Sequence, residues 1–400
     1  MNGFGDYFAI GRGGALIGSR KFPLCDRLFV RLLSFVSKFG CQTHYFGLEE
    51  LIEGINTQQR LLFAVNHIST FDLYLGFVPL GLHFKKFISA LAKMELFEKP
   101  VFRYVMERSR AIPVARGRKE QENYLETIVP LIEDQVWLGA APAGTRGYDG
   151  RIGDFSRGIG ILYQNSSAEA IVPIFVTREL IPKGGLRRLF VNYGPPLRLD
   201  KGDLGKMTKR EQLTNAKRIT EELKEKQARL AVLMVDNVLS AYLLAMAQKD
   251  HTSLDRETLT EDIQLILTQA YGLGYFVDDR LLEGGSISRK AISRHIGFYF
   301  RYMRRRRLIR GNKLEPSTIL YDFDKYMVDQ TNNTEKKWKR GHRLGMNTPE
   351  PHKLAARGYV KENPTGYLAN TIEHLAEINE IIETRVTYRL SCPVKQPTTT

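Results

Sequence analysis

Leu61-Leu62-Phe63-Ala64-Val65-Asn66-His67-Ile68-Ser69-Thr70-Phe71-Asp72 is the stretch on which the fold turns. The apolar run Leu61 to Val65 reads as a strand, and Thr70 onward reads as the start of a helix that carries Asp72. Open α/β sheets present their chemistry at the carboxyl ends of strands, which is where this reading puts His67. A histidine can take a proton from a hydroxyl near neutral pH, and a carboxylate five positions later can hold one ring tautomer and stabilise the imidazolium. His67 and Asp72 are therefore a candidate general-base dyad.

Working outward, strands are expected at Phe87 to Leu91, Ala111 to Ala115, Val136 to Ala140, Ile171 to Val176 and Leu189 to Tyr193. Helices are expected between them at Leu73 to Leu80, Pro100 to Arg108, Lys119 to Glu133 and Phe155 to Gln164. That alternation predicts an α/β fold, a mixed sheet covered by helices, over about residues 42–205. Pro173 inside an apolar strand predicts an edge position or a bulge.

Composition narrows the partners. The 400 residues carry 59 Lys and Arg against 44 Asp and Glu, a formal charge of +15, which favours an anionic surface or phosphorylated ligand. Cys25, Cys41 and Cys392 are odd in number and lack metal-ligand spacing, so a reducing compartment and no metal site are expected. No signal peptide is evident, and no apolar stretch approaches the roughly 20 residues that span a bilayer. Residues 1–41 read as a Gly-rich flexible leader followed by a basic amphipathic helix, Leu24 to Phe39, with Leu28, Leu32, Phe35 and Phe39 on one face and Arg27 and Arg31 beside it. Arg27, Arg31 and Phe35 are candidate membrane-surface contacts, although packing of this helix on its own domain remains an equal alternative.

Two further loops follow expected strands. Arg116-Gly117-Arg118 and Pro142-Ala143-Gly144-Thr145-Arg146-Gly147 each place a guanidinium beside a glycine, a combination suited to phosphate. Taken in order with His67 to Asp72 and Val172-Pro173-Ile174, these loops resemble the four sequence blocks of the glycerolipid acyltransferases, the family that includes the 1-acylglycerol-3-phosphate acyltransferases. Asp149-Gly150-Arg151, Phe155-Ser156-Arg157-Gly158 and Tyr193-Gly194-Pro195-Pro196 resemble the family's continuation, so the likeness extends over about residues 24–200. It implies that His67 deprotonates an acceptor hydroxyl, with Asp72 orienting it, for attack on an acyl thioester of coenzyme A or acyl carrier protein. That thioester is a co-substrate, and no bound cofactor or metal is implied. Asn66, Ser69, Arg116, Gly117, Gly144, Thr145 and Arg146 become the expected substrate contacts, and a lysophosphatidic acid-type glycerol phosphate the expected acceptor in phospholipid synthesis. One departure stands out: Ala143 occupies the place of the family's glutamate, with Asp149 or Asp154 as nearby substitutes. A catalytically silent lipid-binding or membrane-adaptor protein on the same fold is the alternative that Ala143 motivates.

Residues 206–400 read as a mainly helical extension, with a long helical stretch over Glu211 to Gln248 and helices at Glu261 to Tyr271, Ile287 to Arg307 and Asn370 to Arg385. Val238 to Leu244 is weakly similar to the segment after the core of bacterial glycerol-3-phosphate acyltransferases. Arg301 to Lys313 holds six arginines and one lysine without an acid. Arg304, Arg305, Arg306 and Arg307 are its candidate contacts to anionic lipid; nucleic acid is the less favoured partner beside an acyltransferase-like core. The combined expectation is a peripheral enzyme at the cytoplasmic face of a membrane.

Overall fold

The computed structural model describes residues 41–68, 72–98, 103–104, 106–107, 109–114, 122–134, 136–144, 147, 149–181, 183, 186–251, 255–306, 308–310, 313–314, 359 and 363–391. It divides into two compact units, one formed by Met1–Arg146, Gly153–Arg178 and Leu186–Leu230, the other by Gly147–Ile152, Glu179–Gly185 and Ala231–Thr400. The division at residue 230 lies beyond the expected one at 205, so a helix assigned from sequence to the extension belongs with the sheet.

The first unit is built on seven strands: β1 (Cys41–Phe46), β2 (Leu61–Val65), β3 (Ile88–Lys93), β4 (Ile112–Val114), β5 (Trp137–Ala140), β6 (Ala170–Arg178) and β7 (Arg187–Tyr193). Their order is β1-β7-β6-β2-β5-β3-β4, and only the β6–β7 pair is antiparallel. The mixed sheet is thus as expected. All five residues of β2 are buried because helices cover both faces of the sheet. Leu61, Phe63 and Val65 pack with Leu51 of α1 (Leu48–Gly54) and Leu75, Phe77 and Leu80 of α2 (Asp72–Phe84). Leu62 and Ala64 face Ile128 and Leu131 of α3 (Glu122–Glu133), Ile159 and Leu162 of α4 (Gly158–Gln164), and Ile219 and Leu223 of α5 (Lys209–Ala228). Thr208 and Glu211 close a capping box at the start of α5.

Two details of the sheet depart from the sequence reading. β1 escapes it because Cys41-Gln42-Thr43-His44-Tyr45-Phe46 has no apolar run; among the described residues it is an edge strand beside β7. β6 lies inside the sheet, so Pro173 is not at an edge. Its carbonyl accepts from the Gly194 amide, on the side away from β2, and the missing amide hydrogen points the same way. There the pairing is irregular: Ile174 faces Tyr193, yet Ile171 bonds Leu197, so the neighbouring chain holds one more residue than β6 over this span. The bulge half of the expectation is therefore met, on the strand opposite the proline, and the missing amide hydrogen faces that irregular stretch.

Gly139 of β5 illustrates how tightly α2 sits on the sheet. A Cβ added there would lie 2.1 Å from the tip of the Phe77 ring, which is itself buried. Gly139→Ala is expected to lower stability by about 1–3 kcal/mol through overpacking. The denaturant midpoint should fall, and Phe77→Leu in the same chain should restore part of the loss.

The second unit is mainly helical, as expected, with α6 (Val235–Gln248), α7 (Arg256–Gly272), α8 (Arg289–Arg305), α9 (Pro364–Asn370) and α10 (Ala376–Ser391). Two short hairpins accompany them, β8 (Leu282–Glu283) with β9 (Ser286–Ile287) and β10 (Ile309–Arg310) with β11 (Lys313–Leu314). The expected continuous stretch from Glu211 to Gln248 is two helices. Between them Leu233 bonds the backbone of Phe276 and Asp278, and Asn237 accepts from the Met234 amide to open α6. Those partners replace the bonds a continuing helix would have made.

Candidate active site

β2, β5, β3, β4 and β6 run in one direction, so their carboxyl ends lie along one edge of the sheet. His67 follows β2 by two residues and is half-buried. β5 lies next to β2, with Ala64 opposite Ala140, and leads into Ala141-Pro142-Ala143-Gly144. Neighbouring strands are about 4.8 Å apart, which brings the histidine and this turn to adjacent positions along the edge. Asp72 opens α2, and Gly76 one turn later comes against the sheet: a Cβ there would meet Ile174 at 3.3 Å and Val65 at 3.5 Å. The buried Tyr193 hydroxyl donates to the Gly76 carbonyl at 2.9 Å, and burial pushes its phenol well above the ordinary range, so it remains a neutral donor. The helix that carries Asp72 is thereby pinned to the sheet that carries His67.

The turn after β5 has a defined backbone. Gly144 donates to the Ala141 carbonyl at 2.8 Å and has φ +65°, a left-handed conformation that favours glycine. Ser156 donates to the Pro142 carbonyl at 2.9 Å, holding the turn from the other side. Ala143 is half-buried within it. Neither nearby substitute for a glutamate is idle: Asp149 accepts from the Arg151 amide at 3.1 Å, and Asp154 pairs with Lys224 at 3.1 Å.

Of the expected substrate contacts, Asn66 and Gly144 are described. Ser69, Arg116, Gly117, Thr145 and Arg146 lie outside the described residues, as do Arg27, Arg31, Phe35 and Arg307; for Asp72 the backbone is described. Asn66 is 2% exposed, and its carboxamide is engaged by Val176 of β6: Val176 donates its amide hydrogen to Oδ1 at 2.6 Å and accepts from Nδ2 at 3.0 Å. That is a structural engagement rather than the substrate contact expected from sequence. Sequence reasoning also misses Gln227, a buried α5 side chain whose Nε2 donates to the carbonyls of Ala64 and Ile174. Both side chains bond main-chain groups far away in sequence, which leaves no local signal.

Arg304, Arg305 and Arg306 are exposed in the second unit, with Arg304 over the Phe300 ring and Arg306 over the Tyr302 ring. Among the described residues no helix is long and apolar enough to cross a membrane, and no group of three or more His, Cys, Asp or Glu is placed to hold a metal.

Residues 48–177 match the family described as Acyltransferase. Over 177 residues the chain is 30% identical to the 1-acyl-sn-glycerol-3-phosphate acyltransferase LPAT1, chloroplastic, of Arabidopsis thaliana, a match covering 42% of this chain and 48% of that protein. The chain thus spans about half the length of the curated relative it matches. The crystal structure of the 1-acyl-sn-glycerophosphate (LPA) acyltransferase PlsC from Thermotoga maritima aligns with 55% of this chain and 87% of its own at 17% identity, with a TM-score of 0.34, too low to carry geometry across. The likeness to acyltransferases is thus carried by residues 48–177, the segment that matches the family model.

Proposed function

We propose that the α/β unit transfers a fatty acyl group from a thioester, on coenzyme A or acyl carrier protein, to a hydroxyl of a lysophosphatidic acid-type glycerol phosphate, as a step of phospholipid synthesis. The observation that supports it most is His67 at the carboxyl end of β2, one strand from the Gly144 turn. In this reading the imidazole takes the acceptor's hydroxyl proton while the oxygen attacks the thioester carbonyl. The tetrahedral oxyanion collapses, the carbon–sulfur bond breaks, and the departing thiolate takes the proton back from the imidazolium. Asp72 orients His67 and stabilises its charged form. Arg116, Thr145 and Arg146 hold the acceptor's phosphate, and Ser69, Gly117 and Gly144 are further substrate contacts.

The test is release of free thiol from acyl-CoA or acyl carrier protein that depends on lysophosphatidic acid. A protein that releases none from either donor overturns the proposal. If an Ala143→Glu variant also releases none while both proteins bind anionic vesicles, the second reading, a silent lipid-binding or membrane-adaptor protein, takes its place.

The proposal includes peripheral attachment to the cytoplasmic face of a membrane through Arg27, Arg31, Phe35 and the Arg304 to Arg307 cluster. A basic residue near an anionic surface contributes about 1 kcal/mol, so replacing Arg304, Arg305 and Arg306 by alanine is expected to weaken binding to phosphatidylserine vesicles about 100-fold. Sedimentation with vesicles measures this, and the difference should shrink as salt is raised.

A further inference from the structure

We propose that Asn66 is a positioning residue that ends the β2–β6 ladder with its side chain and so directs His67; its connection to catalysis rests on the acyl-transfer reading above. The final register pair of β2 is Val65 with Ile174, and the Asn66 amide still bonds the Ile174 carbonyl at 3.4 Å. In a ladder carried further, the Val176 amide would be met by the carbonyl of residue 66, and the Val176 carbonyl by the amide of residue 68. The Asn66 carboxamide supplies both partners instead, at 2.6 and 3.0 Å.

This substitution has a geometric consequence. Because the side chain satisfies Val176, the backbone from residue 66 onward does not have to remain in the sheet to do so, and the chain can turn at the residue immediately before His67. Buried main-chain groups are almost always paired, so a side chain without both a donor and an acceptor would leave Val176 unsatisfied or draw the 66–68 backbone back toward the ladder. Asparagine provides both on a short side chain. Aspartate has the length and the acceptor but, when ionised, presents a second acceptor to the Val176 carbonyl. Glutamine has both groups one methylene farther out.

The experiment compares Asn66→Ala and Asn66→Asp with Gln164→Ala. Gln164 is a fair control because its buried amide also makes two bonds, donating to the Gln212 carbonyl and accepting from Asn215, outside the proposed site. In the full-length protein, the imidazole resonance of His67, assigned by its loss in His67→Ala, is expected to move or broaden in both Asn66 variants and remain in place in Gln164→Ala. Acyl transfer should fall at least tenfold in kcat for Asn66→Ala with little change in KM, while Gln164→Ala, brought to comparable stability by choice of temperature, should stay near wild type. An unchanged His67 resonance in Asn66→Ala overturns the inference, as does a kcat loss shared equally by Gln164→Ala. If the wild type transfers no acyl group while the resonance responds as described, the proposed activity fails and the positioning of His67 by Asn66 stands.

Discussion

Replacing His67 by alanine is expected to lower kcat for acyl transfer to lysophosphatidic acid by about 10²–10⁴-fold, with KM for either substrate changed little. An alcohol attacks a thioester slowly unless its proton is removed as the new bond forms, and the proposed site assigns that proton to the imidazole. The side chain has no part in gripping the phosphate, so its loss should raise the barrier more than it weakens the ground-state complex. Asp72→Asn preserves size while removing the charge that stabilises the imidazolium, and should lower kcat in the same direction. Activity of His67→Ala within about threefold of wild type would remove the histidine from the mechanism.

The parts of this arrangement that can be read in sequence are those encoded locally. Leu61 to Val65 is an uninterrupted apolar run because both of its faces are covered, and that burial makes the strand and its end visible. His67 and Asp72 sit close together in the chain, on either side of one strand-to-helix connection. Asn66 is legible as a neighbour of the histidine but not as a partner of Val176, which lies 110 positions away. Pro173 misleads for a related reason: its ring argues against an inner strand until its missing amide is known to face the irregular pairing at Gly194 to Leu197. The break between α5 and α6 is hidden because Arg229 to Met234 has neither Gly nor Pro, and the partners that stop the helix come from elsewhere. Nothing local marks the side chains of Glu179, Lys183, Asp236 and Asp278 in the second unit as buried, because charged residues are mostly exposed.

That buried group leads to the second large effect: Arg280→Leu is expected to destabilise the second unit by about 3–5 kcal/mol near neutral pH. Arg280 bonds both Glu179 and Asp278 at 2.6 Å, while Lys183 lies 3.3 Å from Glu179 and 3.2 Å from Asp236. Two cations face three buried carboxyls, and removing the guanidinium takes a charged partner from two of them. Because the Arg280 side chain remains 26% exposed, water entering the vacated space should bring the loss toward the lower end of that range. Burial works to raise the Asp278 carboxyl, but hydrogen bonding and charge from Arg280, with help from Lys183, hold it well below its ordinary 3.8. A carboxyl depressed in the folded state contributes stability that is present above the unfolded value and lost as pH falls through the folded one. Without Arg280 that depression is lost, so the deficit of the variant should be greatest near neutral pH and shrink as the medium is acidified and the carboxyls take up protons. Two nearby groups act on both proteins: burial lowers His295 from 6.5 to about 3, so acidification below 6.5 costs stability, and burial raises Asp236 from 3.8 to about 6, so acidification from 6 toward 3.8 restores some. The charge of Arg280 adds to the lowering of His295, so its removal eases that acid penalty and narrows the deficit in the same direction. Urea unfolding followed by circular dichroism across pH 7 to 4 measures the difference, and a deficit below about 1 kcal/mol or one independent of pH would show that the guanidinium does not hold these carboxyls charged.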